Sequence, residues 1–301
     1  MVVQKILKWR DYIIRDTQKV VAVRLHKIWD TIMKEKPTAI LLIVILISGS
    51  LLVLSMSNSQ TTGEKLSAAL VTSDNTISIN GNEGFSTCPY VTGGNGTYSN
   101  PFVISNLSLV VNNDTAISIY NTNAFFIIEN SVFNLTSITS GYETAIYLFN
   151  VSNGLIKNVT IFSSRYPITY ISNGTYLAKE TMNGVEFYNS YNDTIEHSKI
   201  SNLTGGIGFY DSEHINIIDN NISNVVIDGI GAEYSSFSLI QGDKITNDHH
   251  NNIQLINSYN INVTGNILRN ANGDNLWFWN TNDSNAINNT ASICPEQSIL
   301  V

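Results

Sequence analysis

Basic residues are scarce over most of the chain. Seven Lys or Arg residues follow residue 36, against twenty Asp or Glu residues, so this part contributes −13 to a total charge of −8. A surface of this sign repels polyanions, which argues against nucleic acid as a partner. It also argues against a polyuronate lyase, because that chemistry needs a basic proton acceptor and a cation beside the charged substrate.

Cysteine and clustered metal ligands are also scarce. The two cysteines, Cys88 and Cys294, lie far apart in a part of the chain where disulfides can persist. A bridge within the chain, a bridge between two molecules and two free thiols are all compatible with the sequence. Histidines cluster only at Asp248-His249-His250, where neighbouring side chains of a strand would point apart. Because no Cys/His spacing of a zinc site occurs, we predict neither a metal site nor a cofactor.

The N-terminal segment differs from the rest of the chain. Residues 1–36 carry nine Lys or Arg against four acidic residues, with apolar residues three or four apart, which is typical of a basic amphipathic helix. The eighteen residues 39–56 contain no charge, and a helix of this length comes close to the hydrocarbon thickness of a bilayer. Because the basic side stays cytoplasmic, we predict a single membrane span with residues 57 onward outside the cell. A cleaved signal peptide is the alternative.

Asparagine is absent from residues 1–56, whereas forty asparagines follow. Thirteen of them open an N-x-Ser/Thr sequon, which favours a glycosylated exterior. The sequons are at Asn95, Asn106, Asn113, Asn134, Asn150, Asn158, Asn173, Asn192, Asn202, Asn221, Asn262, Asn282 and Asn288.

A line of 22 or 23 residues recurs along the second half of the chain, with longer steps before it. Apolar residues alternate within each line at offsets 0, +2, +10 and +15, which predicts three short strands per line with one face inward. Stacked lines of fixed period predict an all-β, three-sided parallel β-helix with about eight coils. The lines begin at Ile117, Ile146, Val185, Ile207, Ile230, Ile253 and Leu276, and the inward positions include Ile127 and Val132.

Asparagine recurs at the predicted corners, at offsets +4 and +17 of each line. A corner requires left-handed backbone angles and hydrogen bonds for unpaired backbone groups, and asparagine provides both. Stacked asparagine side chains also bond one another as ladders. We therefore interpret the asparagine richness as scaffolding; the offset +17 residues are Asn134, Ser163, Asn202, Asn224, Asn247 and Asn270.

Three segments carry a family resemblance. Residues 79–106 (INGNEGFSTCPYVTGGNGTYSNPFVISN), 123–133 (NAFFIIENSVF) and 145–161 (AIYLFNVSNGLIKNVTI) resemble NosD-like β-helix proteins of the pectate-lyase-like superfamily, especially those of archaeal cell surfaces. The resemblance implies a right-handed helix with an N-terminal cap. It implies no single activity, because this superfamily includes lyases, hydrolases, epimerases and proteins without known catalysis.

These segments define the predicted domain organisation. It comprises a cytoplasmic basic amphipathic helix over 1–37, a transmembrane helix over 38–57, a linker over 58–76, an extracellular parallel β-helix over 77–294 and a C-terminal tail over 295–301.

Carboxylates on the predicted coils do not form a convincing catalytic pair. Glu186 and Glu233 point outward from the first strand but lie two coils apart, about 10 Å, and Asp211 and Asp243 occupy corner offsets that elsewhere hold asparagine. Sugar cleavage needs two carboxylates that converge on one groove. The candidates are Glu186, Asp211, Glu213, Asp228, Glu233, Asp243 and Asp274.

An aromatic stripe follows offset +3, on the outward side of the first strand. Aromatic faces offer a platform for sugar rings or a partner protein, although stacking for stability would produce the same pattern. The stripe residues are Tyr120, Phe149, Tyr188, Tyr210 and Trp279, with Trp277 at offset +1 of the final line. We therefore predict a non-catalytic adhesion or glycan-binding module anchored in the cell membrane. The alternatives are a carbohydrate-active enzyme of the same fold and a structural cell-envelope component.

Overall fold

The computed structural model describes residues 70–72, 76–112, 114–136, 142–165, 169–172, 175–178, 181–292 and 294. They lie in one compact unit, Leu66–Val301. No helix among these residues is long and apolar enough to cross a membrane. The predicted cytoplasmic helix over 1–37, the transmembrane helix over 38–57 and the tail over 295–301 lie outside the described residues.

Three sheets run along the unit, and each coil passes through them in the order sheet 1, sheet 2, sheet 3. Their strands are parallel, except that β3 pairs antiparallel with β4 at the start of sheet 2. The last regular steps pair residues 23 apart, as in Ile230↔Ile253 and Ile253↔Leu276. The described residues therefore form the predicted three-sided parallel β-helix.

Sheet 1 has eight strands and sheets 2 and 3 have nine each. Sheet 1 contains β2 (Ile77–Asn80), β6 (Thr115–Thr122), β9 (Tyr142–Val151), β14 (Thr181–Tyr188), β17 (Gly205–Tyr210), β20 (Ile230–Glu233), β23 (Ile253–Ile256) and β26 (Leu276–Trp279). Sheet 2 contains β3 (Val91–Gly93), β4 (Phe102–Ser105), β7 (Phe126–Glu129), β10 (Gly154–Lys157), β15 (Thr194–Glu196), β18 (Asn216–Ile218), β21 (Leu239–Gln241), β24 (Asn262–Thr264) and β27 (Asn285–Ile287). Sheet 3 contains β1 (Leu70–Thr72), β5 (Ser108–Val111), β8 (Val132–Leu135), β11 (Thr160–Ser163), β16 (Lys199–Ser201), β19 (Asn221–Ser223), β22 (Lys244–Thr246), β25 (Ile267–Arg269) and β28 (Thr290–Ser292).

The remaining elements lie at the start of the solenoid and between two coils. Helix α1 (Gly81–Thr87) follows β2, and its buried Phe85 stacks on Phe102 at a ring-centroid distance of 4.8 Å. Strands β12 (Thr169–Ser172) and β13 (Thr175–Ala178) form an antiparallel hairpin. Strand β1 pairs with β5, so a strand of the solenoid begins inside the segment predicted as a linker.

The core is a stack of apolar side chains from all three sheets. Ile195, Ile217 and Ile240 are in register on adjacent strands of sheet 2 and are fully buried. The predicted inward positions are buried from Ile146 onward, apart from Ala286 on the last strand of sheet 2, which is exposed. They are wrong by one residue in the coil of Ile117, where Ile128 and Phe133 are buried instead of Ile127 and Val132.

An additional residue causes this shift. Thr122 pairs with Val151, yet Ile128, six residues later, pairs with Ile156, five residues later. A strand alternates with a period of two, so one inserted residue exchanges the inward and outward sets downstream. Two residues predicted at corners, Asn134 and Ser163, instead lie within strands, β8 and β11.

The corner prediction is confirmed at offset +4. All seven residues have φ between 47° and 53°, the left-handed region that asparagine tolerates best. Side-chain ladders link successive corners, for example Asn150 Nδ2 to Asn121 Oδ1 at 2.9 Å and Asn280 Nδ2 to Asn257 Oδ1 at 2.8 Å. The offset +4 residues are Asn121, Asn150, Asn189, Asp211, Tyr234, Asn257 and Asn280.

Candidate functional site

The outer face of sheet 1 carries the predicted aromatic stripe. Side chains alternate along a strand, so offsets +1 and +3 share this face. Tyr120, Tyr188 and Tyr210 are half-buried there, whereas the side chain of Trp279 is 60% exposed. The structure divides the predicted stripe into two groups, because Glu233 and Ile256 occupy offset +3 in the two intervening coils.

The first group is a continuous row of four tyrosine rings. Ring centroids lie 5.9 Å apart between Tyr120 and Tyr147, 5.5 Å between Tyr147 and Tyr188, and 4.6 Å between Tyr188 and Tyr210. The row therefore passes through Tyr147 rather than the predicted Phe149. The sequence held the signal for Tyr147, since offset +1 shares the face of offset +3, but the prediction followed one offset only.

The second group is the pair Trp277 and Trp279 on the last strand of sheet 1. Their ring centroids lie 5.7 Å apart. Trp277 is half-buried and pairs with Gln254 of the preceding coil. The pair thus forms a separate aromatic patch at the C-terminal end of the face.

Glu186 is the centre of a hydrogen-bonded cluster beside the tyrosine row. Its side chain points outward, yet Glu186 is 3% exposed because neighbouring coils cover it. The hydroxyls of Tyr142 and Thr144 donate to Oε2 at 2.6 and 3.1 Å, and the Asn183 amide donates to Oε1 at 2.9 Å. Burial raises the pKa of Glu186, and these three hydrogen bonds oppose that rise because they stabilise the carboxylate.

Tyr210 lies between two carboxyl groups. Burial raises the pKa of Tyr210, and the negative charges of Glu186 and Asp228 raise it further. Its ring lies over Gly208, where a Cβ would stand 2.7 Å from ring carbon Cε2. A side chain at Gly208 would therefore displace the tyrosine from its place between the acids.

Asp228 belongs to a second polar cluster, two coils beyond Glu186. Its Oδ1 lies 2.8 Å from His250 Nδ1 and accepts the backbone N–H of Asn251 at 3.2 Å. The Asn251 amide donates to Gln254 Oε1 at 2.8 Å. The Asp228 side chain is 10% exposed and that of His250 52%, so the histidine marks the solvent side of the cluster.

A shallow trough separates the two clusters. Its floor is Gly231 of β20, because the Tyr210 ring covers Gly208, the residue of β17 that pairs with Gly231. A Cβ on Gly231 would point into open space. Tyr210 and Glu233 stand on one side of this floor, and Asp228 on the other, so the trough offers ring faces, carboxylates and amides to one ligand.

The other predicted carboxylates lie away from this trough. Asp211 and Glu213 are exposed at the corner between sheets 1 and 2, and Asp243 is buried at the corner between sheets 2 and 3. The Asp274 backbone N–H donates to Asn251 Oδ1 at 2.8 Å, at the rim of the second cluster. The sequence identifies Glu186, Asp228 and Glu233 as candidates. It does not predict that Tyr142 and Asn183 bond to Glu186 or that Tyr210 lies near Glu186 and Asp228.

The cysteines and metal ligands add no further centre to the described part of the chain. Cys88 and Cys294 are not joined by a disulfide, and the Cys294 thiol donates to the carbonyl of Gly273. No group of three or more His, Cys, Asp or Glu side chains among the described residues is arranged to hold a metal ion.

Eleven of the thirteen sequon asparagines lie in the described residues, and none of these is buried. Three of them donate into side-chain ladders: Asn150 to Asn121, Asn158 to Asn130 and Asn192 to Asn153. Asn113 and Asn173 lie outside the described residues.

The fold and the outward polar face define a solenoid protein of the parallel β-helix class. Residues 137–291 match the family described as a right-handed beta helix region, and the chain belongs to this family. By the description of this family, the β-helix is right-handed. No curated protein matches the chain.

Solved β-helix structures are similar to the chain at low identity. They include tailspike protein 2 of bacteriophage CBA120, in its enzymatically active domain (14% identity, 63% of this chain and 34% of that chain, TM-score 0.39). The others are the periplasmic alginate epimerase AlgG (13%, 75% and 65%, 0.32) and the A-module of the Azotobacter vinelandii mannuronan C-5 epimerase AlgE6 (9%, 66% and 62%, 0.35). The chain spans about a third of the tailspike's length.

Proposed function

We propose that the protein is a non-catalytic glycan-binding module and that the outer face of sheet 1 is its binding surface. The observation that carries this proposal is the continuous row of four tyrosine rings that ends at the trough. Aromatic faces stack on sugar rings, while carboxylates and amides hydrogen-bond to sugar hydroxyls. Tyr188 and Tyr210 provide the ring faces, and Asp228 and Asn251 provide the polar partners.

The same proposal includes anchorage in the cell membrane. The uncharged run over 39–56 and the +5 balance before it support one span with the N-terminus in the cytoplasm. The sequons on the β-helix support glycosylation outside the cell. Within the right-handed β-helix family we assign the chain to the NosD-like proteins of archaeal cell surfaces, on the segments over 79–161.

A glycoside hydrolase is the second candidate, and one observation favours it. Burial keeps Glu186 protonated to a higher pH than an exposed glutamate, which suits a general acid. Asp228, across Tyr210, would act as the base that activates water. Their coils are two strand spacings apart, about 10 Å, and Asp228 lies three residues before Gly231, the position opposite Glu186. The two side chains would therefore have to bend toward each other to reach the separation of about 6.5–9.5 Å in inverting hydrolases.

A binding and hydrolysis screen separates the two candidates. Full-length protein in detergent micelles is applied to an array of neutral and acidic oligosaccharides, and release of reducing ends is followed in parallel. We expect binding without release, and we expect Tyr188→Ala to weaken binding while Tyr98→Ala, an exposed aromatic on the N-terminal cap, does not. If reducing ends are released, and Glu186→Gln abolishes that release, the protein is a hydrolase instead. Absence of both binding and release would reject both candidates.

Protease treatment of intact cells tests the membrane topology. We expect added protease to degrade the β-helix and to spare an epitope tag placed before residue 37. Protection of the β-helix in intact cells, with degradation only after lysis, would reverse the proposed orientation.

A further inference from the structure

The corner between sheets 1 and 2 carries a second aromatic row that is distinct from the tyrosine row of sheet 1. Ring centroids lie 4.9 Å apart between Tyr191 and His214, 5.4 Å between His214 and Phe237, and 5.1 Å between Phe237 and Tyr259. Tyr191, Phe237 and Tyr259 are 51%, 42% and 45% exposed. Four rings in consecutive coils therefore form a ridge along this corner that faces water.

The backbone at this ridge favours asparagine over aromatic residues. Phe237 has φ 51°, at a position where Asn153, Asn192 and Asn260 stand in other coils. Tyr234 also has φ 51°. Left-handed angles disfavour bulky side chains, and an exposed ring at such a position gains little from burial. The positive φ belongs to the corner itself, but a phenylalanine placed there is 42% exposed, so its ring is available to a ligand and adds little to the core.

At Tyr191, the first ring of the ridge in chain order, the ridge opens into a polar groove of about 550 Å³. Tyr191 belongs to both surfaces. No charged side chain lines the groove, whose wall residues are Asn82, Asn121, Asn123, Asn150, Ser152 and Asn189 beside Thr122, Val151 and Tyr191.

The amides of this groove retain hydrogen-bonding capacity. Asn150 Nδ2 uses one hydrogen to donate to Asn121 Oδ1 at 2.9 Å, and Asn121 Nδ2 donates to Asn80 Oδ1 at 3.0 Å. Each amide has two N–H donors and two acceptor lone pairs, so each keeps a second donor for a ligand. Amide pairs in a groove match the hydroxyls of an uncharged sugar, which both donate and accept.

We propose that this corner binds an uncharged oligosaccharide, with its sugar rings stacked on the ridge and its hydroxyls bonded to the amides of the groove. The occupant is neutral because the groove carries no charge, while exposed Asp211 and Glu213 beside the ridge repel anions. This site is separate from the outer face of sheet 1, and its ligand is held without Glu186 or Asp228.

Asn150 is both a wall residue of the groove and the first residue of a glycosylation sequon. Asn150 lines the groove, and a glycan attached to its Nδ2 would fill the space and remove the donor left for a ligand. The proposal therefore requires Asn150 to stay unmodified even where exposed Asn221, on the outer side of sheet 3, is glycosylated. Mass spectrometry of glycopeptides from the native protein measures both sites, and occupancy of Asn150 would overturn the proposal.

The binding test uses substitutions taken from neighbouring coils, so that the fold is retained. Phe237→Asn places the ladder residue at a left-handed position, and Tyr191→Ser and Tyr259→Ser introduce the residue that Ser152 and Ser236 provide in adjacent coils. The probes are neutral glucose, mannose and N-acetylglucosamine hexasaccharides and an anionic uronate hexasaccharide, applied to full-length protein in detergent micelles.

We expect a neutral hexasaccharide to bind, the triple variant to weaken its binding at least tenfold, and the unfolding temperature to stay at or above that of the parent. Tyr188→Ala, on the outer face of sheet 1, should leave this binding unchanged. If only the sheet 1 site fails, Tyr188→Ala weakens binding to no glycan on the array, while the triple variant still weakens binding of the neutral hexasaccharide. Unchanged binding in the triple variant, binding of the uronate alone or absence of neutral binding would each overturn the proposal.

Discussion

Asp243 Oδ1 accepts two hydrogen bonds from Asn220 of the preceding coil, from the backbone N–H at 2.7 Å and from the side-chain amide at 3.0 Å. Asn266 occupies the equivalent place in the next coil, and its amide donates to the Ile240 carbonyl at 3.0 Å. In Asp243 an oxygen replaces that amide nitrogen. Oδ2 is buried without a partner, so a proton on this oxygen restores the donor that asparagine has.

Burial raises the pKa of Asp243 to about 7, and the nearby charge of Asp219 adds to the rise. The folded state therefore binds more protons than the unfolded state between about pH 4 and 7. The stabilisation is complete below about pH 4 and is lost as the pH rises through about 7, a change of roughly 4 kcal/mol in the free energy of unfolding. Asp243→Asn should remove this part of the pH dependence and stabilise the protein at pH 8.

Urea unfolding midpoints between pH 4 and 8 measure this effect. A residual slope of the same sign should persist in Asp243→Asn, because burial also raises the pKa of Asp193 and of Asp248. Asp211→Asn is the matched control at an exposed corner, and its pH profile should follow that of the parent. Equal midpoints for Asp243→Asn and its parent at pH 8, where the parent would carry a buried charge, would contradict the raised pKa of Asp243.

The register of the core supplies a second prediction. Ile217 is fully buried between Ile195 and Ile240, so Ile217→Asp places a charge where no partner can reach it. We expect a loss of several kcal/mol in the free energy of unfolding. Ile218→Asp, at the adjacent half-buried outward position, should cost much less. A larger loss for Ile218→Asp than for Ile217→Asp would mean that the inward and outward sets are exchanged, and equal losses would contradict the burial of Ile217.

The sequence predicts the scaffold well because each coil repeats the same local physics. Alternating apolar residues at Ile207, Phe209 and Ile217 all lie in the core as predicted, and asparagines mark the corners because few other residues accept left-handed angles. The one error of register has a related cause. The segment before Ile128 is apolar on both faces, so its pattern of apolar residues does not reveal the extra residue.

The site was less predictable because it depends on contacts between coils. The sequence predicts Glu186 as an exposed, outward acid. In the structure Tyr142, 44 residues earlier in the chain, and Asn183, three residues earlier, cover its carboxyl group. Likewise Asp243 reads as one more corner residue, and only the packing shows that its carboxyl is buried. Offsets fix which face a side chain occupies, whereas the length of a neighbouring side chain decides whether that face is reached by water.

The Glu186 cluster supplies a third prediction. The Tyr142 hydroxyl donates to the carboxylate at 2.6 Å and holds its pKa down against the effect of burial. Tyr142→Phe should therefore raise the pKa of Glu186 further and extend the pH range over which its proton is retained. Carbon-13 NMR titration of the glutamate carboxyls measures the change, with Glu186→Gln used for assignment.

Tyr147→Phe is the control for this prediction. Tyr147 stacks on Tyr188, and the three hydrogen bonds to Glu186 come from other residues. Removal of the Tyr147 hydroxyl should therefore leave the Glu186 titration close to that of the parent. An equal shift in both variants would indicate that loss of a polar group near the carboxyl matters, rather than the Tyr142 hydrogen bond.

The tryptophan pair supplies the last prediction. Trp279 is 60% exposed and its ring lies 5.7 Å from that of Trp277, so the pair presents a large apolar surface on the last strand of sheet 1. Exposed aromatic surface of this kind marks a binding site more often than a structural contact. The double variant Trp277→Ala, Trp279→Ala should lose glycan or cell-surface binding and keep the parent's unfolding temperature to within a few degrees, because both side chains lie on the outer face of sheet 1 and not in the core. Tyr98→Ala, an exposed aromatic of the N-terminal cap, should change neither quantity. Intact folding with undiminished binding would leave the tryptophans as a cover for the end of the sheet and confine recognition to the tyrosine row and its trough.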